Sequence, residues 1–227
     1  MINISDQKTK EGFIFTHKLH ESLSPALLAE LHLVKFSSGE YILTQRSHST
    51  HLFFLVQGKL QTEHYEVNGE RIVFSFETAF SVIGDMEIFS KRQHDIFSTV
   101  VALSDAYLLT LPIEAIKNNS MREPKFLTLI CQQLSDKLIN SSLLHSSASF
   151  TAEYKLRRFL SFKIKREGEL LQLENRESLA AVLGISARQL NRALAKLSEF
   201  GMIQVKNKSL RVLDYKRLID INVSDSF

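Results

Sequence analysis

The sequence predicts an α+β protein: an antiparallel β-roll in its first half, a long helix after it, and a last third of short helices closed by a hairpin. Three observations carry this. Residues 36–111 are short runs rich in Phe, Val, Tyr, Ile and Thr, separated by Gly or polar turns. From Pro112 a helical period returns and runs to about His145. Residues 176–213 hold two helical patterns around Gly184, then two short strand patterns. The expected boundaries are 1–111, 112–148 and 149–227.

In the first part, Ser24 to Val34 (SPALLAELHLV) has Leu27, Leu28, Leu31 and Val34 at helical spacing with Pro25 suited to a first turn, so a short helix is expected there. Residues before Ser24 show little pattern. The roll segments are FSSGEYILTQ, THLFFLVQGKLQTEHYEV, ERIVFSFETAFSVIG and DIFSTVVALSDAYLLTLP, with turns at Ser37-Ser38-Gly39, Gln57-Gly58 and Asn68-Gly69. Asn68-Gly69 signals a tight hairpin. Strands at this spacing suit a barrel or sandwich.

A short helix is expected over Ile113 to Asn118, and a longer one from about Lys125 to His145 behind Pro124. Its stripe Leu127, Ile130, Leu134 and Leu138 steps by three and four, the spacing of a coiled-coil seam. That spacing suits either a helix laid on its own β domain or a dimer axis, and the dimer is the expectation adopted. Ser146 to Thr151 is small and polar and reads as a hinge anchored by Phe150, before a helix carrying Leu156, Phe159, Leu160 and Ile164.

The last third is organised by Arg176 to Ala195 (RESLAAVLGISARQLNRALA). Leu179, Leu183, Ile185, Leu190 and Ala193 are apolar, and small Ala180 suits a close helix crossing. Gly184 suits a sharp turn needing φ > 0. Ser186 is placed to cap the second helix. This is the spacing of a helix-turn-helix, whose second helix enters a DNA major groove. Gly201 closes that helix. Met202 to Val205 and Leu210 to Leu213 then form a β-hairpin, a wing whose turn places Lys206 and Lys208 for phosphates.

Composition agrees. Apolar residues make up 44% and charged residues 23% of the 227, as in a globular chain with an adequate core. Residues 1–150 hold 13 Lys and Arg against 16 Asp and Glu, and the remainder holds 15 against 9. The basic excess therefore falls where the helix-turn-helix lies, as attraction to phosphate backbones requires. The start MINISDQKTKEG has no signal pattern, and no apolar run approaches the roughly 20 residues that cross a bilayer. With Cys131 as the single cysteine, no intrachain disulfide and no CxxC metal site exist. A cytoplasmic protein with no membrane partner is expected. Cys131 reads as a buried small hydrophobe.

Together, a roll of strands, a long helix, a hinge and a C-terminal winged helix resemble the Crp/Fnr family of bacterial transcription regulators, over about Ser24 to Ile221. The motif SLAAVLGISARQLNRALAKLSEFGMIQVKNKSLRVLD carries the resemblance most specifically, with GEYILTQ, LFFLVQGKL and IGDMEIF in the roll. It implies a roll like a cyclic-nucleotide-binding jelly roll, and a homodimer that reads a palindromic site in double-stranded DNA with the helix Ser186 to Glu199. It also implies contact with RNA polymerase. Carried over by position, the base-reading sites fall on Ala187, Arg188 and Arg192, with Asn191 on the same face. Arg192 keeps the family residue and can bind guanine O6 and N7. Arg188 stands where many members have Glu, and Ala187 where some have Arg, so the operator should differ from the best-known ones. Ser186, Gln189 and Lys196 are expected to cap the helix or, like Lys206 and Lys208, to hold phosphate.

The sensor departs from the family. Cyclic-nucleotide-binding members have a Gly-Glu pair for the ribose and an Arg-Ser pair for the phosphate. Here the first is Gly84-Asp85, and the second falls near Asp95-Ile96-Phe97 with no Arg; Arg92 could serve only if its loop shifted. Ser141 and Ser142 match hydroxyl positions near the base. The four residues Gly84, Asp85, Ser141 and Ser142 are the candidate effector pocket, but cyclic AMP is not expected and no cofactor is assigned. Two roll glycines of the family are replaced by Arg46 and Ala79, so the roll should be irregular there. One cysteine cannot hold an iron–sulfur cluster. His48, His51, His64 and His94 have no diagnostic spacing and read as surface residues.

Two other functions compete. A cupin-like metal oxygenase would need a His-x-His and carboxylate set, which His48, His51 and Glu63 do not supply at that spacing. A protein-interaction module would use the helix-turn-helix without DNA. No Ser-His-Asp set, P-loop or paired-carboxylate spacing recommends catalysis, and no enzyme activity is expected.

Overall fold

The computed structural model describes residues 1–90, 95–119, 123–145 and 150–220. Two compact units divide the chain, Met1–Ile139 and Asn140–Phe227.

The first unit runs β1 (Ile2–Ile4), α1 (Gln7–Thr16), α2 (Leu19–Ser22), α3 (Pro25–Ala29), β2 (His32–Phe36), β3 (Tyr41–Leu43), β4 (His51–Gln57) and β5 (Lys59–Tyr65). It continues with β6 (Arg71–Thr78), β7 (Ser81–Ile83), α4 (Asp85–Phe89), β8 (Thr99–Ala102), β9 (Ala106–Pro112), α5 (Ile113–Asn119) and α6 (Pro124–His145), the last of which passes beyond the unit's end. Five strands form one sheet in the order β1-β2-β9-β4-β7, and four form a second in the order β3-β8-β5-β6. All pairings are antiparallel.

The five-stranded sheet is buried on both faces, which explains why β4 reads as a continuous apolar run. Leu52, Phe54 and Val56 point into a core shared with Leu27, Leu111, Phe126 and Ile130, on the helical side. Phe53 and Leu55 alternate to the other face, where they share a core with Leu108 of neighbouring β9 and with Leu60 and Val100 of the second sheet. Gly58 makes the sharp corner between β4 and β5 possible. It takes φ 104, and a Cβ there would lie 2.6 Å from the Asp105 carbonyl oxygen.

Several expectations are corrected. The helix expected over Ser24 to Val34 ends at Ala29. Val34 belongs instead to β2, opposite Leu108 of β9, because pairing with a buried strand outweighs a weak helical period. The unpatterned start holds β1, paired to β2, and α1, which Asp6 caps by accepting from the Lys8 and Thr9 amides. Helix α1 fully buries no residue and rests on the core through Phe13 and Ile14 alone, too short a contact to give an apolar stripe. The turn at Asn68-Gly69 is a five-residue link over 66–70, held by the Glu70 amide donating to Asn68 Oδ1 at 2.9 Å. Arg46 does take the left-handed φ of 66° that a glycine would take more easily.

The proposed seam on α6 is corrected too. Ile130 is buried in its own roll with Phe126, and Leu127 and Leu134 pack against the same core. Of the four seam residues only Leu138, 69% exposed, faces away. The exposed face carries Thr128, Cys131, Ser135 and Leu138, again at steps of three and four. Cys131 is therefore exposed rather than buried.

The second unit holds α7 (Ala152–Glu167), β10 (Leu170–Gln172), α8 (Arg176–Val182), α9 (Ala187–Glu199), β11 (Ile203–Lys206), β12 (Ser209–Val212) and α10 (Tyr215–Ile219). The strands form one sheet in the order β10-β12-β11. Most of the expected hinge lies outside the described residues, but Phe150 stacks on Tyr154 at 4.2 Å. Thr151 caps α7 by accepting from the Tyr154 amide. Among the described residues no helix is long and apolar enough to cross a membrane.

Candidate nucleic-acid interface

Helix α8 begins at Asn175, whose side chain accepts from the Ser178 amide at 2.7 Å. It ends at Leu183, and Gly184 follows at φ 59. The Lys155 ammonium donates to the Gly184 carbonyl at 3.4 Å and so fastens the turn to α7. Ser186 then caps α9 in a reciprocal box: its Oγ accepts from the Gln189 amide at 3.2 Å, and Gln189 Oε1 accepts from the Ser186 amide at 2.8 Å. Both side chains spend acceptors on the cap, which leaves their O–H and N–H donors for an anion.

Leu190, Ala193, Leu194 and Leu197 are buried, so the opposite face of α9 is presented outward. Arg188, Asn191 and Arg192 lie on that face and are exposed, and Ala187 is half-buried at its start. Residues at i, i+3 and i+4 share one side of a helix, so these three form a single polar patch. The hairpin of β11 and β12 turns through Asn207, at φ 57, with Lys206 and Lys208 exposed on either side.

The basic excess divides on folding. Arg157 and Lys163 are buried. The Arg157 guanidinium donates to the carbonyls of Leu218, Arg217 and Asp220, closing the end of α10. Lys163 pairs with Glu167 and Glu174. Lys196, expected at phosphate, is paired with Glu153 at 2.6 Å and lies over the Phe200 ring. These cations serve the fold first. On the wing an exposed cation was missed: Arg211 on β12, between buried Leu210 and Val212. The alternation Leu-Arg-Val would have revealed it.

Residues 33–122 match the cyclic nucleotide-binding domain, and residues 155–221 match the Crp-like helix-turn-helix domain. The chain belongs to the Crp/Fnr family. It is 26% identical to the regulatory protein YeiL of Escherichia coli O157:H7 over 191 residues, 84% of this chain and 85% of that one. It is 21% identical to the global nitrogen regulator of Synechococcus elongatus, over 81% of this chain and 86% of the relative. In fold it is similar to FixK2 from Bradyrhizobium japonicum, with a TM-score of 0.73 at 14% identity over 83% of this chain and 95% of that one. The protein is thus a DNA-binding transcription regulator of the Crp/Fnr type, and the cupin-like and interaction-module alternatives find no support in these matches.

The expected effector-pocket residues lie in the part that matches the cyclic nucleotide-binding domain and at the end of α6. Gly84, at φ 88, precedes α4, and a Cβ there would lie 3.1 Å from the His51 carbonyl oxygen. Asp85 is 1% exposed, and its Oδ1 accepts from the Lys137 ammonium of α6 at 2.7 Å. The carboxylate named as an effector contact is therefore already paired. At the position of the missing Arg-Ser pair, Ile96 is buried and the Phe97 ring stacks on His64 at 4.8 Å. Ser141 is exposed; Arg92, His94 and the side chain of Ser142 lie outside the described residues.

His48 is exposed, 3.2 Å from Asp95. His64 is no surface residue: Nδ1 meets the Phe97 carbonyl, and the ring packs on Phe74. Burial, helped by the nearby His32 charge, pushes the His51 imidazole below its ordinary range. Among the described residues no group of three His, Cys, Asp or Glu could hold a metal ion.

Proposed function

We propose that this regulator acts as a homodimer on a two-fold symmetric DNA site of about 20 base pairs, with half-sites about one helical turn apart. The observation that carries the reading is the outward patch Arg188, Asn191 and Arg192 on a capped helix whose other side is buried. Arg192 reads a guanine, and Arg188, Asn191 and Ala187 set the neighbouring positions. Ser186, Gln189, Lys206 and Lys208 hold phosphates, with Arg211 beside them on the wing. Lys196 reaches a phosphate only by leaving Glu153.

The second copy covers the outward face of α6, where Leu138 and Ile139 are 69% and 54% exposed and Thr128, Cys131 and Ser135 continue the stripe. Small residues there let two helices approach closely. The paired state of the Asp85 carboxylate supports a sensor that does not take cyclic AMP in the family's manner. Contact with RNA polymerase is carried over from the family.

Selection of bound duplexes from a random pool tests the reading, using the wild type and Arg192→Ala, with and without cyclic AMP. The wild type should yield a palindrome that cyclic AMP does not change. Arg192→Ala should lose preference at one base pair per half-site, worth about 1–3 kcal/mol. An unchanged preference would show that α9 does not read bases, and an asymmetric site would remove the dimer.

A further inference from the structure

We propose that Lys137 and Asp85 form a built-in clasp that holds the long helix on the roll and so sets the helix end that leads into the DNA-binding unit. The inference rests on the reading that this sensor needs no cyclic nucleotide.

Strand β7 is the outer strand of its sheet, so Val82 turns an N–H and a C=O away from β4. Helix α6 closes that edge with two side chains one turn apart. Gln133 Oε1 accepts from the Val82 amide at 3.3 Å, and the Lys137 ammonium donates to the Val82 carbonyl at 2.6 Å. A lysine is a common way to close a sheet edge. Lys137 goes further and meets Asp85 Oδ1 at 2.7 Å, at the head of α4.

Asp85 Oδ2 is buried and has no hydrogen-bond partner among the described residues. One lysine therefore carries nearly all the compensation of a buried carboxylate, and Lys137 itself is only 28% exposed. Pairs of this kind contribute little net stability compared with apolar residues, but removing one partner is severe, so they serve to fix a single arrangement. The arrangement fixed here concerns the chain's connection. Ile130 anchors α6 in the core, whereas Leu138 and Ile139 are 69% and 54% exposed. Lys137 grips the roll two residues before the first unit ends at Ile139, where the helix passes on into the second unit. Paired, the helix end is set; unpaired, two charges gain from water and the end is released.

The test uses the full chain, with Lys137→Met, Asp85→Asn and the double variant. It measures affinity for a duplex selected by the wild type, hydrogen exchange in residues 134–145, and thermal unfolding. Lys137→Met should weaken DNA binding tenfold or more and raise exchange in that segment. Asp85→Asn keeps an acceptor for Lys137 without its charge and should shift both readouts the same way by less. The double variant, free of buried charge, should regain thermal stability without regaining DNA affinity. If it regains affinity as well, the pair only stabilises the fold, and the clasp is refuted. If Lys137→Met does not fold, the isosteric Asp85→Asn decides: affinity within twofold of wild type refutes the clasp. A wild type that selects no duplex would instead overturn the DNA-reading assignment, so the two failures are distinguishable.

Discussion

Two glycine-led corners of this molecule use polar side chains in opposite ways. Before α9, Gly184 turns the chain and Ser186 closes a capping box, so the backbone is satisfied locally and Arg188, Asn191 and Arg192 stay outside. Before α4, Gly84 turns the chain and Asp85 goes inward, where Lys137 neutralises it. The first corner keeps its charges for another molecule; the second spends its charge on its own fold. The contrast separates a binding surface from a structural joint more clearly than residue type does, since both are polar turns after a glycine.

The contrast can be broken by experiment. The largest effect should come from the inward side. Phe126→Ala empties the place where α6 meets the roll and should cost about 3–5 kcal/mol in urea unfolding, because Phe126 is fully buried. A loss under 1 kcal/mol would show that α6 is not anchored there. Next, Ser186→Ala opens the capping box and should cost about 1 kcal/mol of stability, while Ser186→Gly costs only a few tenths. Equal losses would show that the hydroxyl does not cap. The smallest effect on folding should come from the outward side. Lys206→Ala and Lys208→Ala should leave unfolding within about 0.5 kcal/mol of wild type. Each removes one phosphate contact from each protomer and should lower the slope of log affinity against log salt by about 2 for the dimer, without altering the selected sequence. A changed sequence would make the wing a reader of bases.

Much of this was legible in one dimension. The recognition motif was, because Gly184, Ser186 and the Leu190, Ala193, Leu194 and Leu197 spacing are local signals that need no distant partner. The strands of the roll were legible as apolar runs between turns. The N-terminal strand and helix were not: α1 fully buries no residue and packs only Phe13 and Ile14 on the core, and β1 exists through pairing with β2. The seam on α6 was displaced by one position, because Leu127, Ile130, Leu134 and Leu138 share a period with Thr128, Cys131, Ser135 and Leu138, and period alone does not say which face meets the roll.

From the amino-acid order alone came the α+β class, the helix-turn-helix and its outward arginines, the wing, and the absence of the family's phosphate-binding arginine. All of these depend on spacing within a turn or two. Only the tertiary structure decided that Asp85 is paired with Lys137, 52 residues away, that Arg157 and Lys163 are internal, and that α6 turns Ile130 inward and Cys131 outward. The physical reason is that a charge's role depends on its neighbours and its access to water, and neither is set until distant segments pack.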